Sequence, residues 1–359
     1  MSNRVFVIAE IGVNHNGSLE LAKKLIDVAA EAGADAVKFQ TFITENIMGP
    51  FTPKASYQIK NTNPSETQYE MVKKLELGRE IHFILKEYCI SRHIQILSSP
   101  FDLESLDFLA DKLNLPIIKI ASGEITNAPL LLKAASFNKK IILSTGMSTL
   151  GDIEEALGVL AYGYIEGKKG TPSKEAFKEA YYSEIGQRLL ATKVTLLHCT
   201  TEYPAPIEEI NLKALSTLKQ CFGLTVGYSD HTLGIAVPLA AVALGAGVIE
   251  KHITLDRSLP GPDHKASLEP KELAQMIQGI RQVEKALGNS YKKPSISELK
   301  NQKITRKSLV AACDINKGEV FTEKNLTVKR PGGGLTPIEL WGLLGKPAAK
   351  SYIKDEMIT

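Results

Sequence analysis

The chain has 359 residues, 43% hydrophobic and 23% charged, with a formal net charge of +3. That is ample material for a large core, generous for one domain and comfortable for two. Its four cysteines (Cys89, Cys199, Cys221, Cys313) show no CxxC spacing, which argues against a disulfide framework or structural zinc and fits a reducing cytoplasm. No apolar run approaches the roughly 20 residues needed to span a bilayer, and residues 1–4 enter a strand-like run with no leader pattern. Residues 286–359 hold 13 Lys+Arg against 7 Asp+Glu, so this tail carries +6 and the remainder −3. The basic charges are dispersed and form no nucleic-acid motif, which predicts a solvated or substrate-facing surface.

Residues 5–11 form a near-continuous apolar run, the pattern of a strand buried on both faces. Ser18 then caps a helix to about residue 31, and residues 36–40 make a second strand with Lys38 inside it. Residues 44–67 read as a long polar loop before helical turns over 68–92. A third strand over 94–98 ends at Ser99-Pro100-Phe101, and a helix follows over 103–113. The fourth strand, 117–120, leads into Ala121-Ser122-Gly123-Glu124, and Asn127 caps a helix over 128–136. Strand five covers 140–143, and the helix after Thr149 runs over 152–160. Residues 161–192 read as an insertion within one βα unit.

Strand six, 194–197, ends in His198-Cys199-Thr200-Thr201-Glu202-Tyr203-Pro204, followed by a helix over 211–220. Strand seven (224–226), a buried helix (235–245) and strand eight (247–249) come next, then an amphipathic helix over 270–287. Eight strand–helix units in strict alternation predict an α/β fold of the (β/α)₈ TIM-barrel type. A doubly wound sheet is disfavoured because no GxGxxG follows any strand. The predicted barrel domain covers 1–287, a linker 288–300, and a small β-rich module 301–359. Within that module an extended arm is expected around 301–307, then short strands over 308–312, 320–321, 326–329 and 348–353.

The strand ends collect chemistry-bearing residues: Glu10, Lys38, Gln40, Ser99, Lys119, Ser122, Glu124 and Thr145 from the first five strands. Thr201, Tyr203, Ser229, Asp230, His231, Glu250, Lys251 and His252 follow from the last three. In a barrel these converge on one face. Two lysines among hydroxyls suit a doubly charged oxyanion such as phosphate. His231 and His252 on neighbouring strands suit a shared divalent ion with open coordination positions. Glu10 and Glu124 can orient water or stabilise developing positive charge. Lysines inside apolar runs point to function, because burying an unpaired charge is costly. His198 reads as a core histidine, His15 as a loop cap, His82 and His93 as surface residues and Cys199 as packing. His264, in a polar loop, faces either substrate or solvent on this reading.

At this point the motifs match a family. The series Ala9-Glu10-Ile11-Gly12-Val13-Asn14-His15-Asn16-Gly17, Val37-Lys38-Phe39-Gln40-Thr41, Lys119-Ile120-Ala121-Ser122-Gly123-Glu124 and His198-Cys199-Thr200 resembles the sialic acid synthases. Gly227-Tyr228-Ser229-Asp230-His231-Thr232, Glu250-Lys251-His252, Pro260-Gly261-Pro262-Asp263 and Val328-Lys329-Arg330-Pro331-Gly332 extend the match in the family's order. The resemblance implies a TIM barrel followed by an antifreeze-like (SAF) domain in a domain-swapped homodimer. It implies condensation of phosphoenolpyruvate with an N-acetylated mannose-type sugar, releasing phosphate and a nine-carbon 2-keto acid.

Transferred residue by residue, the resemblance puts Mn²⁺ or Mg²⁺ on His231 and His252 and the catalytic carboxylates at Glu10 and Glu124. Phosphoenolpyruvate contacts fall on Lys38, Ser99, Lys119, Ser122, Thr201 and Ser229, with Gln40 beside them among the substrate-binding residues. Tyr203 and Asp263 would contact the sugar, and Arg330 would reach its N-acyl group from the other protomer. Thr201 departs from the neuraminate-type bacterial enzymes, which carry Asn there. Thr201-Glu202-Tyr203-Pro204-Ala205-Pro206 and the insertion resemble the legionaminic acid synthase branch, whose substrate is 2,4-diacetamido-2,4,6-trideoxymannose. N-acetylneuraminate and pseudaminic acid synthases are the alternatives within the family. Outside it stand a metal-dependent hydrolase, whose sites usually open with His-x-His on strand 1, and a non-catalytic carbohydrate binder.

Overall fold

The computed structural model describes residues 4–63, 65–167 and 169–359. The sequence readings of residues 1–3, of Pro64 in the expected loop and of Lys168 in the expected insertion lie outside them. The chain divides into two compact units, Met1–Gly288 and Asn289–Thr359.

The first unit is built on eight parallel strands: β1 Phe6–Gly12, β2 Ala36–Thr41, β3 Gln95–Pro100, β4 Ile117–Ile120, β5 Lys140–Ser144, β6 Val194–Cys199, β7 Thr225–Asp230 and β8 Val248–His252. Their ladder order is β3-β2-β1-β8-β7-β6-β5-β4. β3 and β4 lie side by side across the remaining gap, giving a nearly closed TIM-like barrel as the alternation predicts. Several strands extend past their apolar runs. β7 and β8 reach Asp230 and His252, so the polar residues expected after the strands belong to them.

Period-two alternation decides which residues face inward. Ile8, Ala36, Leu97, Ile142, Leu197 and Val248 pack together inside the barrel, with Phe6 and Ile117 against them. Two residues further along each strand stand Glu10, Lys38, Ser99, Lys119, Ser144, Cys199 and Glu250, and these line the cavity at the barrel's carboxyl end. At the apolar level β7 supplies Gly227. A Cβ there would sit 2.5 Å from Val248 O and 2.6 Å from Leu197 Cδ2.

The outer faces of the strands pack on the helices in one continuous core. Helix Leu19–Ala32 begins at Ser18, whose hydroxyl accepts from Leu21 N, and ends at Gly33 in the left-handed region at φ 85°. The expected loop over 44–67 holds short helices, Thr44–Ile47 and Ser56–Asn61. The expected helix over 103–113 is α-helical over Leu103–Asp107 and closes as a π-turn, Phe108–Lys112. Leu150–Glu166 is one long helix, followed by two further helices, Lys174–Tyr182 and Glu184–Lys193, before β6. No described helix is long and apolar enough to cross a membrane.

Asp230 and Lys251 are register partners on β7 and β8 and are fully buried. Lys251 Nζ lies 2.5 Å from Asp230 Oδ2 and also donates to Thr232 O. Asp230 accepts further bonds from Tyr228 Oη, Thr232 N and Thr232 Oγ1. A buried charge pair is tolerable when its remaining valences are met in this way.

The second unit pairs β9 Ser308–Ala311 with β10 Leu326–Lys329 antiparallel. Bridges Val310↔Met357, Ile315↔Tyr352 and Val320↔Pro347 hold the rest around a small core of Leu309, Ile315, Phe321, Leu326, Tyr352 and Ile358. The expected extended arm around 301–307 is corrected by a helix, Ile296–Thr305. Ser295 and Glu298 form a capping box there, with Glu298 N donating to Ser295 Oγ and Ser295 N to Glu298 Oε2.

Two stability changes follow from this packing. Gly227→Ala should lose about 1–3 kcal/mol in urea unfolding, since neither backbone nor Leu197 can yield cheaply; unchanged stability would place that contact elsewhere. Lys251→Met should cost about 3–5 kcal/mol by stranding the Asp230 carboxylate. Adding Asp230→Asn should recover part of that loss, and fully additive losses would mean that the pair is not coupled.

Candidate active site

The barrel's carboxyl end opens into a cavity of about 370 Å³. Glu10, Lys38, Gln40, Ser99, Lys119, Ser122, Glu124, Thr201, Tyr203, Ser229, His231, His252 and Asp263 all line it. Register explains much of this convergence: Glu10 stands beside both Lys38 and His252, and Ser229 beside Glu250.

The floor is a knot of buried charge. Glu10, Lys38, Lys119 and Glu250 are 1%, 3%, 2% and 4% exposed. Lys38 Nζ lies 2.7 Å from Glu10 Oε2 and 3.8 Å from Glu250 Oε1. Lys119 Nζ lies 3.5 Å from the same Glu250 oxygen and donates to Ser144 Oγ at 2.7 Å. Ser229 Oγ donates to Glu250 Oε1 at 2.9 Å. Burial, with Glu250 nearby, outweighs Lys38 and pushes the Glu10 carboxyl up to about 7. Burial acts on Glu250 in the same direction, but Lys119 and Lys38 together hold it below the usual carboxylate range. Burial lowers Lys119, whereas Glu10 and Glu250 outweigh burial at Lys38 and raise it.

A cluster of hydroxyls adjoins the lysines. Gly146 N donates to Ser122 Oγ at 3.1 Å, and Ser122 Oγ lies 3.1 Å from Cys199 Sγ. A Cβ at residue 146 would stand 2.5 Å from Thr201 Oγ1, so glycine is required for these groups to converge. Thr201 Oγ1 is buried with no hydrogen-bond partner among the described residues. Two cations with unspent hydroxyl donors are complementary to an oxyanion. Glu124, on the turn Ser122–Glu124, is half-buried and accepts from Asn127 Nδ2 at 2.7 Å; burial raises its carboxyl.

At the cavity's β7–β8 side the rings of His231 and His252 lie 5.6 Å apart. His231 Nδ1 donates to Thr200 O at 2.6 Å, which fixes the tautomer and leaves Nε2 as an acceptor. His252 Nδ1 is buried without a hydrogen-bond partner among the described residues, with Asp263 Oδ2 at 3.9 Å. Burial keeps both imidazoles neutral, His231 down at about 4 and His252 well below its ordinary value. Neutral imidazoles with unspent lone pairs fit a divalent ion that takes its remaining ligands from water or substrate. Among the described residues no group of three or more His, Cys, Asp or Glu is arranged around a common metal position. The Tyr203 ring packs, tilted, against His231 at 4.2 Å between centroids and meets Tyr57 at 5.0 Å. Burial pushes Asp263 up to about 6.

Some sequence assignments shift. Thr145 is one residue out of phase with the cavity and donates its hydroxyl to Leu197 O; Ser144 holds the inward position instead. Glu250, noted at a strand end without a role, is central to the floor. His82, expected on the surface, is 1% exposed and bonded to Thr41 Oγ1 and Gly78 O, while His93 is exposed. His264 faces neither substrate nor solvent: it is fully buried and bonded to Thr254 Oγ1. His15 does close the first loop, accepting from Gly17 N, and His198 bonds to Ile210 O within the wall. Arg330 follows β10 in the second unit and is exposed.

The chain has close relatives. It is 54% identical over 99% of both chains to an N,N'-diacetyllegionaminic acid synthase of Campylobacter jejuni. It is 45% identical to the Legionella pneumophila enzyme of the same name, across 95% of this chain and 89% of that one. The crystal structure of an N-acetylneuraminic acid (sialic acid) synthetase from Leptospira borgpetersenii, in complex with citrate, superposes with a TM-score of 0.67 at 36% identity, covering 84% of this chain and 90% of that one. The SAF domain family matches residues 306–359, and the NeuB family matches 25–292. With a cavity of paired lysines, carboxylates and imidazoles at its barrel mouth, the chain belongs to the NeuB family of sialic acid synthases, within the legionaminic branch.

Proposed function

We propose that the protein condenses phosphoenolpyruvate with 2,4-diacetamido-2,4,6-trideoxymannose and water, giving N,N'-diacetyllegionaminate and phosphate. The observation that carries this reading is one cavity in which two buried lysines and a hydroxyl cluster adjoin two neutral imidazoles. The first set suits a phosphate and carboxylate, the second an aldehyde oxygen. Full-length identity of 54% to a synthase of that name supports the choice of acceptor.

Lys38, Lys119, Ser99, Ser122, Thr201 and Ser229 bind the phosphoenolpyruvate anion and hold its enol carbon towards the acceptor. His231 and His252 would hold Mn²⁺ or Mg²⁺, which would supply Lewis-acid polarisation of the open-chain aldehyde. Tyr203, packed against His231, and Asp263 orient the sugar so that the enol carbon bonds to its aldehyde carbon. The adjacent phosphate-bearing carbon becomes cation-like and is attacked by water. Glu10, pushed up to about 7 by burial, is matched to accepting a proton from that water near neutral pH. The hydroxyl so added loses its proton as the carbon–oxygen bond to phosphate breaks, giving the 2-keto acid, and the two protons brought by water end on the former aldehyde oxygen and on phosphate. Glu250 remains ionised beside the lysines and Glu124 stabilises charge at the rim. Arg330, on the loop after β10, holds the N-acyl group of the sugar bound by the partner protomer of a domain-swapped homodimer.

Incubation with Mn²⁺, phosphoenolpyruvate and each candidate sugar should release phosphate fastest with the diacetamido-trideoxy sugar. No sugar-dependent release with any of them would sink the reading. His231→Ala should lower activity at least tenfold, in a way that excess Mn²⁺ only partly restores; an unchanged metal dependence would remove this residue as a ligand. Arg330→Ala mixed with Glu10→Ala should recover activity that neither has alone. Lack of rescue in verified heterodimers would confine Arg330 to its own chain.

A further inference from the structure

Val13, Phe42, Ile47, Val72, Leu75 and Phe101 form a hydrophobic cluster separate from the main core. All six line the same cavity as the charged floor. They come from the segments after β1, β2 and β3, so the cavity has an apolar β1–β3 flank and a polar β7–β8 flank. Ile47, Val72 and Phe101 remain only partly buried. The wall is held in place rather than loosely hung. Thr44 N and Oγ1 both donate to Glu76 Oε2, at 3.0 and 2.8 Å, and Ile43 N donates to Asp102 Oδ2 at 3.0 Å. Phe42 and Phe101 meet edge to face at 6.3 Å.

We infer that this wall is a subsite for the methyl groups at the non-reacting end of the acceptor, and that it selects a 4-acetamido-6-deoxy sugar over a 4,6-dihydroxy one. The inference rests on the acceptor reading above. With the anion on the lysine floor and the aldehyde at the imidazoles, the remaining sugar carbons extend towards the cavity walls. A hydroxyl against aliphatic side chains loses its water without a replacement partner, whereas a methyl group gains from leaving water. Because the wall is braced, it discriminates without first having to be ordered.

The test compares kcat/KM for the diacetamido-trideoxy sugar and for N-acetylmannosamine, by phosphate release, in the parent and in Val72→Thr and Ile47→Thr. Each substitution places a hydroxyl on a partly exposed position of the wall. Preference for the trideoxy sugar should fall about three- to tenfold in at least one variant, with the KM for phosphoenolpyruvate unchanged. Equal losses for both sugars, or an unaltered ratio in both variants, would overturn the subsite. A parent that prefers N-acetylmannosamine would overturn it too, while leaving a synthase intact. A parent that releases phosphate with neither sugar removes the acceptor reading and this proposal with it. Val72→Ala separates lost contact from added polarity: it should weaken use of the trideoxy sugar without improving use of N-acetylmannosamine, and improvement there would count against the wall.

Discussion

Two lysines held between two carboxylates, away from water, are the constraint on which the rest of the barrel mouth depends. A single buried ammonium or carboxylate is costly enough that it would neutralise or pull the site open to solvent. Here Lys38 lies between Glu10 and Glu250, and Glu250 is shared with Lys119, so neither cation is buried alone. The sharing is unequal. Glu250 is held ionised by two lysines, whereas Glu10 has one close cation and a neighbouring carboxylate and titrates near neutrality. Carboxylates pushed apart in this way can divide the work, Glu250 balancing the lysines that face an anion and Glu10, in its ionised form, accepting a proton near neutral pH.

Strand alternation determines how those charges reach one place. One level down, the same strands present Ile8, Ala36, Leu97, Ile142, Leu197 and Val248, an apolar plug beneath the charged level. Gly227 fills its position in that plug without a side chain, because Val248 and Leu197 occupy the space. The residues out of phase do different work. Asp230 and Lys251 face away from the cavity and tie β7 to β8 immediately beside His231 and His252. The candidate metal ligands therefore sit on strands whose register is set by a buried ion pair as well as by backbone hydrogen bonds.

Much of this was legible because buried parallel strands announce themselves as apolar runs, and a lysine inside such a run has few structural explanations. Lys38 and Lys119 are visible on those grounds, and His231 and His252 as histidines in the polar clusters that end two neighbouring strands. Parity was harder. In Ser144-Thr145-Gly146 the sequence does not fix which hydroxyl faces inward; the strand's phase gives that place to Ser144, which accepts from Lys119, while Thr145 donates to Leu197 O. His82 and His264 are buried, unlike the sequence expectation, because each imidazole finds a hydroxyl partner, Thr41 or Thr254, that no local pattern reveals. The helix Ile296–Thr305 is hard to see in the sequence for a different reason: its apolar residues form no buried stripe, so only the Ser295–Glu298 capping box marks it.

The division of the cavity into a charged floor and an apolar flank also bears on how two substrates can be handled in order. An anion bound to the floor occupies the lysines and hydroxyls, leaving the imidazole side and the aliphatic wall as the remaining surface of the cavity. A second ligand with an aldehyde at one end and methyl groups at the other is complementary to that remainder, and a second anion is not. Charge thus separates the substrates before any contact specific to the sugar is made. Hydrophobic contact then acts where it discriminates best, against hydroxyls that would otherwise keep their water. The buried ionisable groups of the floor therefore restrict, by what they leave uncovered, the kind of acceptor that fits beside a bound anion.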